Sequence, residues 1–218
     1  MRAELQELCN LVRGNPASFK RFSDDLEQVD PSRRVESIAG IAERLEVPAG
    51  SRGVDLGTGY GYGAVLLNAL GYTVIGIERN RDKLEDGLAY WGRLRVPFKY
   101  VSDHFFSSVS EGDLCFTHRD IRNLSNVADA SLDWATAFYI SSYMFSERAF
   151  DEVGRILRPN GSFVISTEGP RQFSPFLRKL VSSVGERMLR PRGFTLAQTL
   201  DFGARVHDRY VFVYKKVA

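Results

Sequence analysis

Cysteine and histidine are scarce in this chain: its 218 residues include two cysteines, Cys9 and Cys115, and three histidines, His104, His118 and His207. No two of them stand at metal-ligand spacing and the cysteines are far apart, so neither a disulfide framework nor a structural zinc is expected. A surplus of one charge is missing too. With 29 Lys+Arg against 27 Asp+Glu the net charge is +2, too small for wholesale binding to nucleic acid or an anionic membrane. No run approaches the roughly 20 apolar residues of a spanning helix. Residues 1–9 lack the cationic start and apolar core of a secretion signal, so a cytoplasmic protein with no membrane partner is expected. There is no internal repeat or low-complexity tract, which excludes a solenoid. What remains is an ordinary globular composition, 44% hydrophobic and 26% charged, on the scale of one large domain.

The punctuation divides the chain in two. Residues 1–48 read as a helical extension that packs on or caps a core formed by residues 49–218. Within the extension Leu5, Leu8, Leu11 and Val12 share one face, followed by Phe19, Phe22 and Leu26. Asp30-Pro31 then looks like a cap and first-turn proline for a helix carrying Val35, Ile38, Ile41 and Leu45, ending near residues 47–50.

From Gly53 onward strands and helices alternate. Gly53–Leu56 is a buried-strand candidate running into Gly57-Thr58-Gly59-Tyr60-Gly61-Tyr62-Gly63, and Ala64–Leu70 is helical. Thr73–Ile77 is a second strand, and Leu84, Leu88, Trp91 and Leu94 mark a second helix. Leu114–His118 and Leu132–Ala137 read as further strands. Glu147–Leu157 reads as a helix, Arg158–Gly161 as a turn and Ser162–Thr167 as a strand. A helix over about 175–190 and two closing strands, Phe194–Leu200 and Arg209–Tyr214, complete the pattern. Such interleaving predicts an α/β fold, doubly wound, with a mostly parallel seven-stranded sheet, helices on both faces and an antiparallel C-terminal strand.

A glycine-rich strand-to-helix turn lets main chain approach a ligand with no Cβ in the way. Of the three registers for a dinucleotide fingerprint, only the one ending at Ala64 meets even its looser form, and no Gly-Lys-Ser/Thr follows to make a phosphate loop. Asp55 weighs further against a pyrophosphate, because an anion two places before the turn would repel one seated at the helix start. An acid here suits a ligand that carries positive charge.

Asp55-Leu56-Gly57-Thr58-Gly59-Tyr60-Gly61 resembles the first motif of the class I S-adenosylmethionine-dependent methyltransferases, an acid followed by x-G-x-G-x-G. The cofactor implied, S-adenosylmethionine, has an ammonium, a sulfonium and no phosphate. The resemblance places Asp55 near its methionine end, with Gly57, Thr58, Gly59 and Gly61 around it. Glu78, ending the second strand, would accept from the ribose hydroxyls, and Arg79 would flank the adenine. In Arg119-Asp120-Ile121, Asp120 would accept from the adenine amino group while Ile121 packs the base. Residues 132–137 resemble the fourth-strand motif, and 152–161 the helix and turn before strand five, with Asn160 in place of one glycine. The resemblance spans roughly residues 50–168. Asp133 reads equally as a structural residue.

The implied activity is methyl transfer to an O, N or C atom of a small organic acceptor, with Tyr139 and Tyr143 as candidates to line its pocket and no catalytic base or metal assigned. The Asn/Asp-Pro-Pro-Tyr/Phe signature of many amino-group methyltransferases is absent, which disfavours exocyclic base amines. Residues 97–112, with His104, Phe105 and Phe106, read either as a wall of the acceptor pocket or as an ordinary connection. Two rivals stay open. A protein or RNA acceptor could dock on residues 171–192, where Arg171, Arg178, Lys179, Arg187, Arg190 and Arg192 face only Glu186. A protein that binds the cofactor without catalysis is the other.

Overall fold

The structure is a computed structural model and describes residues 47–101, 108–138, 146–166, 186–201 and 210–217, together with residues 7, 10, 38, 40–42, 45 and 183. Its elements are β1 (Arg52–Leu56), α1 (Tyr62–Ala69), β2 (Thr73–Glu78), α2 (Arg81–Arg93), β3 (Lys99–Tyr100), β4 (Leu114–His118), β5 (Leu132–Ala137), α3 (Glu147–Ile156), β6 (Leu157–Ser166), β7 (Phe194–Asp201) and β8 (Tyr210–Lys216). The strands form one sheet in the order β3-β4-β2-β1-β5-β6-β8-β7. Pairing is parallel from β3 through β6, and β8 runs antiparallel to both β6 and β7.

Strand alternation sorts the core into two layers, because successive side chains point to opposite faces. Val54, Leu56, Ile75, Ile77, Ala135, Phe163 and Phe212 join Ala149, Phe150, Val153 and Ile156 of α3 on one face. Val74, Phe116, Trp134, Val164 and Val213 join Ala64–Leu67 of α1 and Leu84, Tyr90 and Trp91 of α2 on the other. Every one of these side chains is buried, as a sheet covered on both faces requires. Ile38, Ile41, Ala42 and Leu45 belong to the second layer, and the Ala42 and Leu45 carbonyls accept from Tyr72 Oη at 3.2 Å and Ser162 Oγ at 3.0 Å.

Two helices begin on side-chain caps that satisfy otherwise orphaned N–H groups. Asn80 accepts from Lys83 N at the start of α2, and Ser146 accepts from Ala149 N at the start of α3. The expected sheet gains an eighth member, the two-residue edge strand Lys99–Tyr100, too short to register as an alternating pattern. The turn expected at Arg158–Gly161 lies inside β6: the register jumps from Leu132↔Leu157 to Trp134↔Ser162, so these residues bulge from the ladder. Asn160 takes the left-handed conformation there, with φ 64°, which asparagine tolerates better than most residues.

Candidate functional site

β1 lies between β2 and β5, so the chain leaves its carboxyl end toward one neighbour and the other half of the sheet begins on the opposite side. A crevice at such a reversal of winding is where open α/β sheets bind ligands. The glycine turn fills this point, strung between two acids.

Asp55 is enclosed, 2% exposed. Thr58 Oγ1 donates to Oδ2 at 2.7 Å and Thr136 Oγ1 to Oδ1 at 2.9 Å; the Ala64 backbone N–H is a third donor. Gly63 is needed here, because a Cβ would stand 2.7 Å from Oδ2. Burial pushes the carboxyl up to about 6 despite these donors, with the nearby Glu78 charge a smaller contribution in the same direction. Thr136, not singled out from the sequence, is the one buried polar residue of β5 and pairs in register with Asp55. A hydroxyl in the buried half of the strand, among Trp134, Ala135 and Ala137, was the available signal.

Glu78 ends β2 and is 7% exposed. Gly59 N donates to Oε2 at 2.9 Å and Asn80 N to Oε1 at 2.7 Å. Each oxygen thus accepts from one backbone N–H, and a carboxylate has about four acceptor positions, so capacity remains for two hydroxyls.

Gly57 and Gly59 have φ +67° and +58°, and a Cβ on either would meet nothing within 4 Å. These positions need glycine for their conformation and open onto free space. Gly61, with φ +87°, differs: a Cβ there would press on Phe116 at 2.8 Å and Trp91 Nε1 at 3.1 Å.

The structure brings Asp120 close to this group, since Arg119 N donates to the Glu78 carbonyl at 2.8 Å. Arg122, which sequence reading missed, grips Asp120: its Nε lies 3.0 Å from both carboxylate oxygens and its N–H reaches Oδ1 at 2.9 Å. That guanidinium holds the Asp120 carboxyl below its usual range. Ile121 beside it is buried at 8% exposure. Arg79 is exposed, and its carbonyl accepts from His118 Nε2 at 2.9 Å. Asp133 proves structural, accepting from Arg52 N at 2.8 Å and pairing with Arg158. Tyr139, Tyr143, His104, Phe105, Phe106, His207, Arg171, Arg178 and Lys179 lie outside the described residues.

The profile of the family described as "Methyltransferase domain" matches residues 54–165, more than half of the chain. The chain belongs to the class I S-adenosylmethionine-dependent methyltransferases. Solved structures show the same fold at low identity. A protein from Pyrococcus horikoshii is similar at 18% identity and TM-score 0.63, covering 88% of this chain and 93% of its own. S-adenosylmethionine-dependent methyltransferases from Methanosarcina mazei (16%, TM-score 0.59, 81% and 97%) and Aquifex aeolicus (13%, TM-score 0.59, 93% and 99%) are likewise similar. No curated protein matches the sequence.

The family's cofactor is S-adenosylmethionine, and the site's residues fit it. Free space lies beside the bare main chain of Gly57 and Gly59, with a nearly buried carboxylate that still has acceptor capacity at the edge of the turn. Among the described residues no group of His, Cys, Asp and Glu could hold a metal ion, and no helix is long and apolar enough to cross a membrane.

Proposed function

We propose that this methyltransferase transfers the methyl group of S-adenosylmethionine to an O, N or C atom of a small organic acceptor. The observation that carries the cofactor half is the open crevice at Gly57 and Gly59, edged by the Glu78 carboxylate, with Asp55 buried beneath the same turn. In this reading Glu78 accepts from the ribose hydroxyls while its backbone donors hold it in place. Asp120 and Ile121 bound the adenine, with Arg122 fixing the Asp120 carboxylate and Arg79 flanking the base. Thr58 and the turn glycines lie along the nucleoside, and Asp55 supplies the negative field near the ammonium end.

When bound, the cofactor supplies a methyl group on a sulfonium, open to in-line attack. The protein's part is then to position the acceptor and exclude water, and a base is needed only where the acceptor atom starts out protonated. Tyr139 and Tyr143, just beyond β5, are the proposed wall of the acceptor pocket.

A macromolecular acceptor on residues 171–192 draws less support. Arg192, one of the six cations there, is committed internally: Nε lies 2.7 Å from Asp151 Oδ1, and Nη2 reaches the Glu147 carbonyl at 3.3 Å. The test is calorimetry with S-adenosylmethionine, S-adenosylhomocysteine and NADH, followed by a methyl-transfer screen of small acceptors. Binding of the first two without NADH, with turnover of a small acceptor, is expected. Binding of NADH alone refutes the cofactor role, and turnover only with protein or RNA refutes the acceptor class.

A further inference from the structure

Three residues of α2 converge on Tyr60 of the glycine turn. Lys83, Gly87 and Trp91 are spaced four residues apart and so share one stripe of the helix. Lys83 Nζ stands 5.9 Å from the centre of the Tyr60 ring, within cation–π range. Gly87 admits the Tyr60 main chain, since a Cβ there would come 2.5 Å from the Tyr60 oxygen. Trp91 Nε1 donates to the Tyr60 carbonyl at 2.7 Å.

Trp91 is 1% exposed and held by its neighbours. Tyr62 and Tyr90 pack edge-on against it with ring centroids 5.0 and 4.9 Å away, and Gly61 approaches so closely that a Cβ would lie 3.1 Å from Nε1. The indole therefore has little freedom to follow a displaced turn. A carbonyl at Tyr60 turned away from it would lose its partner and leave the buried N–H unsatisfied, which is costly.

We infer that the Lys83–Gly87–Trp91 stripe of α2 is a clamp that fixes the glycine turn in its cofactor-ready shape, with Trp91 as a positioning residue for cofactor binding. Its action is indirect. Tyr60 sits between Gly59, whose N–H donates to Glu78, and Gly61, whose N–H donates to the Thr58 carbonyl at 2.9 Å. Rotation of the Tyr60 peptide disturbs both neighbours, and with them the surface offered to the ligand. Through its cap Asn80 and that residue's bond to Glu78, α2 also supports the turn and the acid together.

The inference rests on the turn being the cofactor site, and the experiment separates the two. The chain has two tryptophans, so ¹H–¹⁵N spectra of the full-length protein show two indole N–H resonances, and Trp91→Phe assigns them by loss of one. Titration of the wild type with S-adenosylhomocysteine is expected to shift the Trp91 resonance and leave that of Trp134 in place. By calorimetry, Trp91→Phe is expected to bind the same ligand about five- to tenfold more weakly, the scale of one lost hydrogen bond. Gly87→Ala should weaken it at least as much. A merely structural Trp91 would lower the melting temperature while its resonance ignored the ligand. Wild-type binding with an unmoved Trp91 resonance overturns the clamp alone, even if Trp91→Phe fails to fold. No wild-type binding at all overturns the cofactor site and the clamp with it.

Discussion

Replacing Asp55 with asparagine should stabilise the ligand-free protein at neutral pH while weakening the cofactor. The reason is that burial holds the Asp55 carboxyl up to about 6, so in the native state it keeps its proton at pH values where an unfolded chain has released it. Native Asp55 thus binds more protons than unfolded Asp55 between about pH 4 and 6, and stability falls as pH rises through that window, then levels. A carboxyl moved from about 4 to about 6 makes the native state ~3 kcal/mol less stable above the window than below it. Asparagine keeps the shape and discards the charge. Its carbonyl can accept the Ala64 N–H and one hydroxyl, while its amide donates to the oxygen of the other hydroxyl. If ~2 kcal/mol of relief survives, the melting temperature at pH 8 should rise by about 4–8 °C for a chain of this size. The assay is thermal unfolding followed by circular dichroism from pH 5 to 8, wild type beside Asp55→Asn, without cofactor. The gap between the two should widen as pH rises. S-adenosylmethionine affinity should move the opposite way, falling about tenfold in the variant as the negative field proposed to act on the ammonium is lost. A variant less stable than the wild type at pH 8, or a gap that ignores pH, would refute the buried-charge argument.

Glu78→Ala removes the acceptor for two backbone N–H groups and should weaken S-adenosylhomocysteine binding by about 1–3 kcal/mol in calorimetry; unchanged affinity would place the ribose elsewhere. Gly59→Ala and Gly61→Ala should separate function from stability. At Gly59 the new methyl meets open space, so the cost in unfolding experiments is the ~1–2 kcal/mol of left-handed backbone strain, while cofactor affinity drops sharply because the methyl enters the crevice. At Gly61 it collides with Phe116 and Trp91, and urea denaturation should show a loss larger than at Gly59. Arg155 Nη1 and Nη2 hold the Val127 and Leu124 carbonyls at 2.6 and 2.7 Å, so Arg155→Ala should cost about 2–3 kcal/mol in the same assay.

How far the sequence could be read depended on whether a feature was local. Leu114–His118 and Leu132–Ala137 are strands with the bounds expected of them, since the first stops at Arg119-Asp120 and the second begins just after the polar Ser131. Lys99–Tyr100 escaped because two residues carry no period, and the start of β6 was hidden by the bulge at Arg158–Gly161, which reads as a plain turn. The same divide runs through the site. Asp55, the glycines and Glu78 are visible because they lie at fixed offsets within one strand-turn-helix-strand unit. Thr136, Arg122 and Trp91 were missed because their roles depend on pairing between β1 and β5, on the fold of the segment after β4, and on how α2 lies against the turn. None of these is encoded by spacing along the chain.

What these contacts share is an order. Along the turn, Thr58 N–H donates to the Ile77 carbonyl at 3.0 Å and its hydroxyl to Asp55; Gly59 N–H donates to Glu78; the Tyr60 carbonyl accepts from Trp91; Gly61 N–H closes onto Thr58. Successive residues are therefore held by β1, β2 and α2, and no single element could move without breaking a tie to another. Glycine makes this path accessible but does not choose it, because a glycine-rich segment left to itself samples both signs of φ. The two acids have divided the work accordingly. Asp55 turns inward and is spent on hydroxyls and a backbone N–H, at the expense of a raised carboxyl, whereas Glu78 holds the turn from the side that faces the crevice and retains acceptor capacity for a ligand. A turn fixed in this way meets its ligand with little conformational entropy left to lose, which is how preorganisation raises affinity without adding contacts.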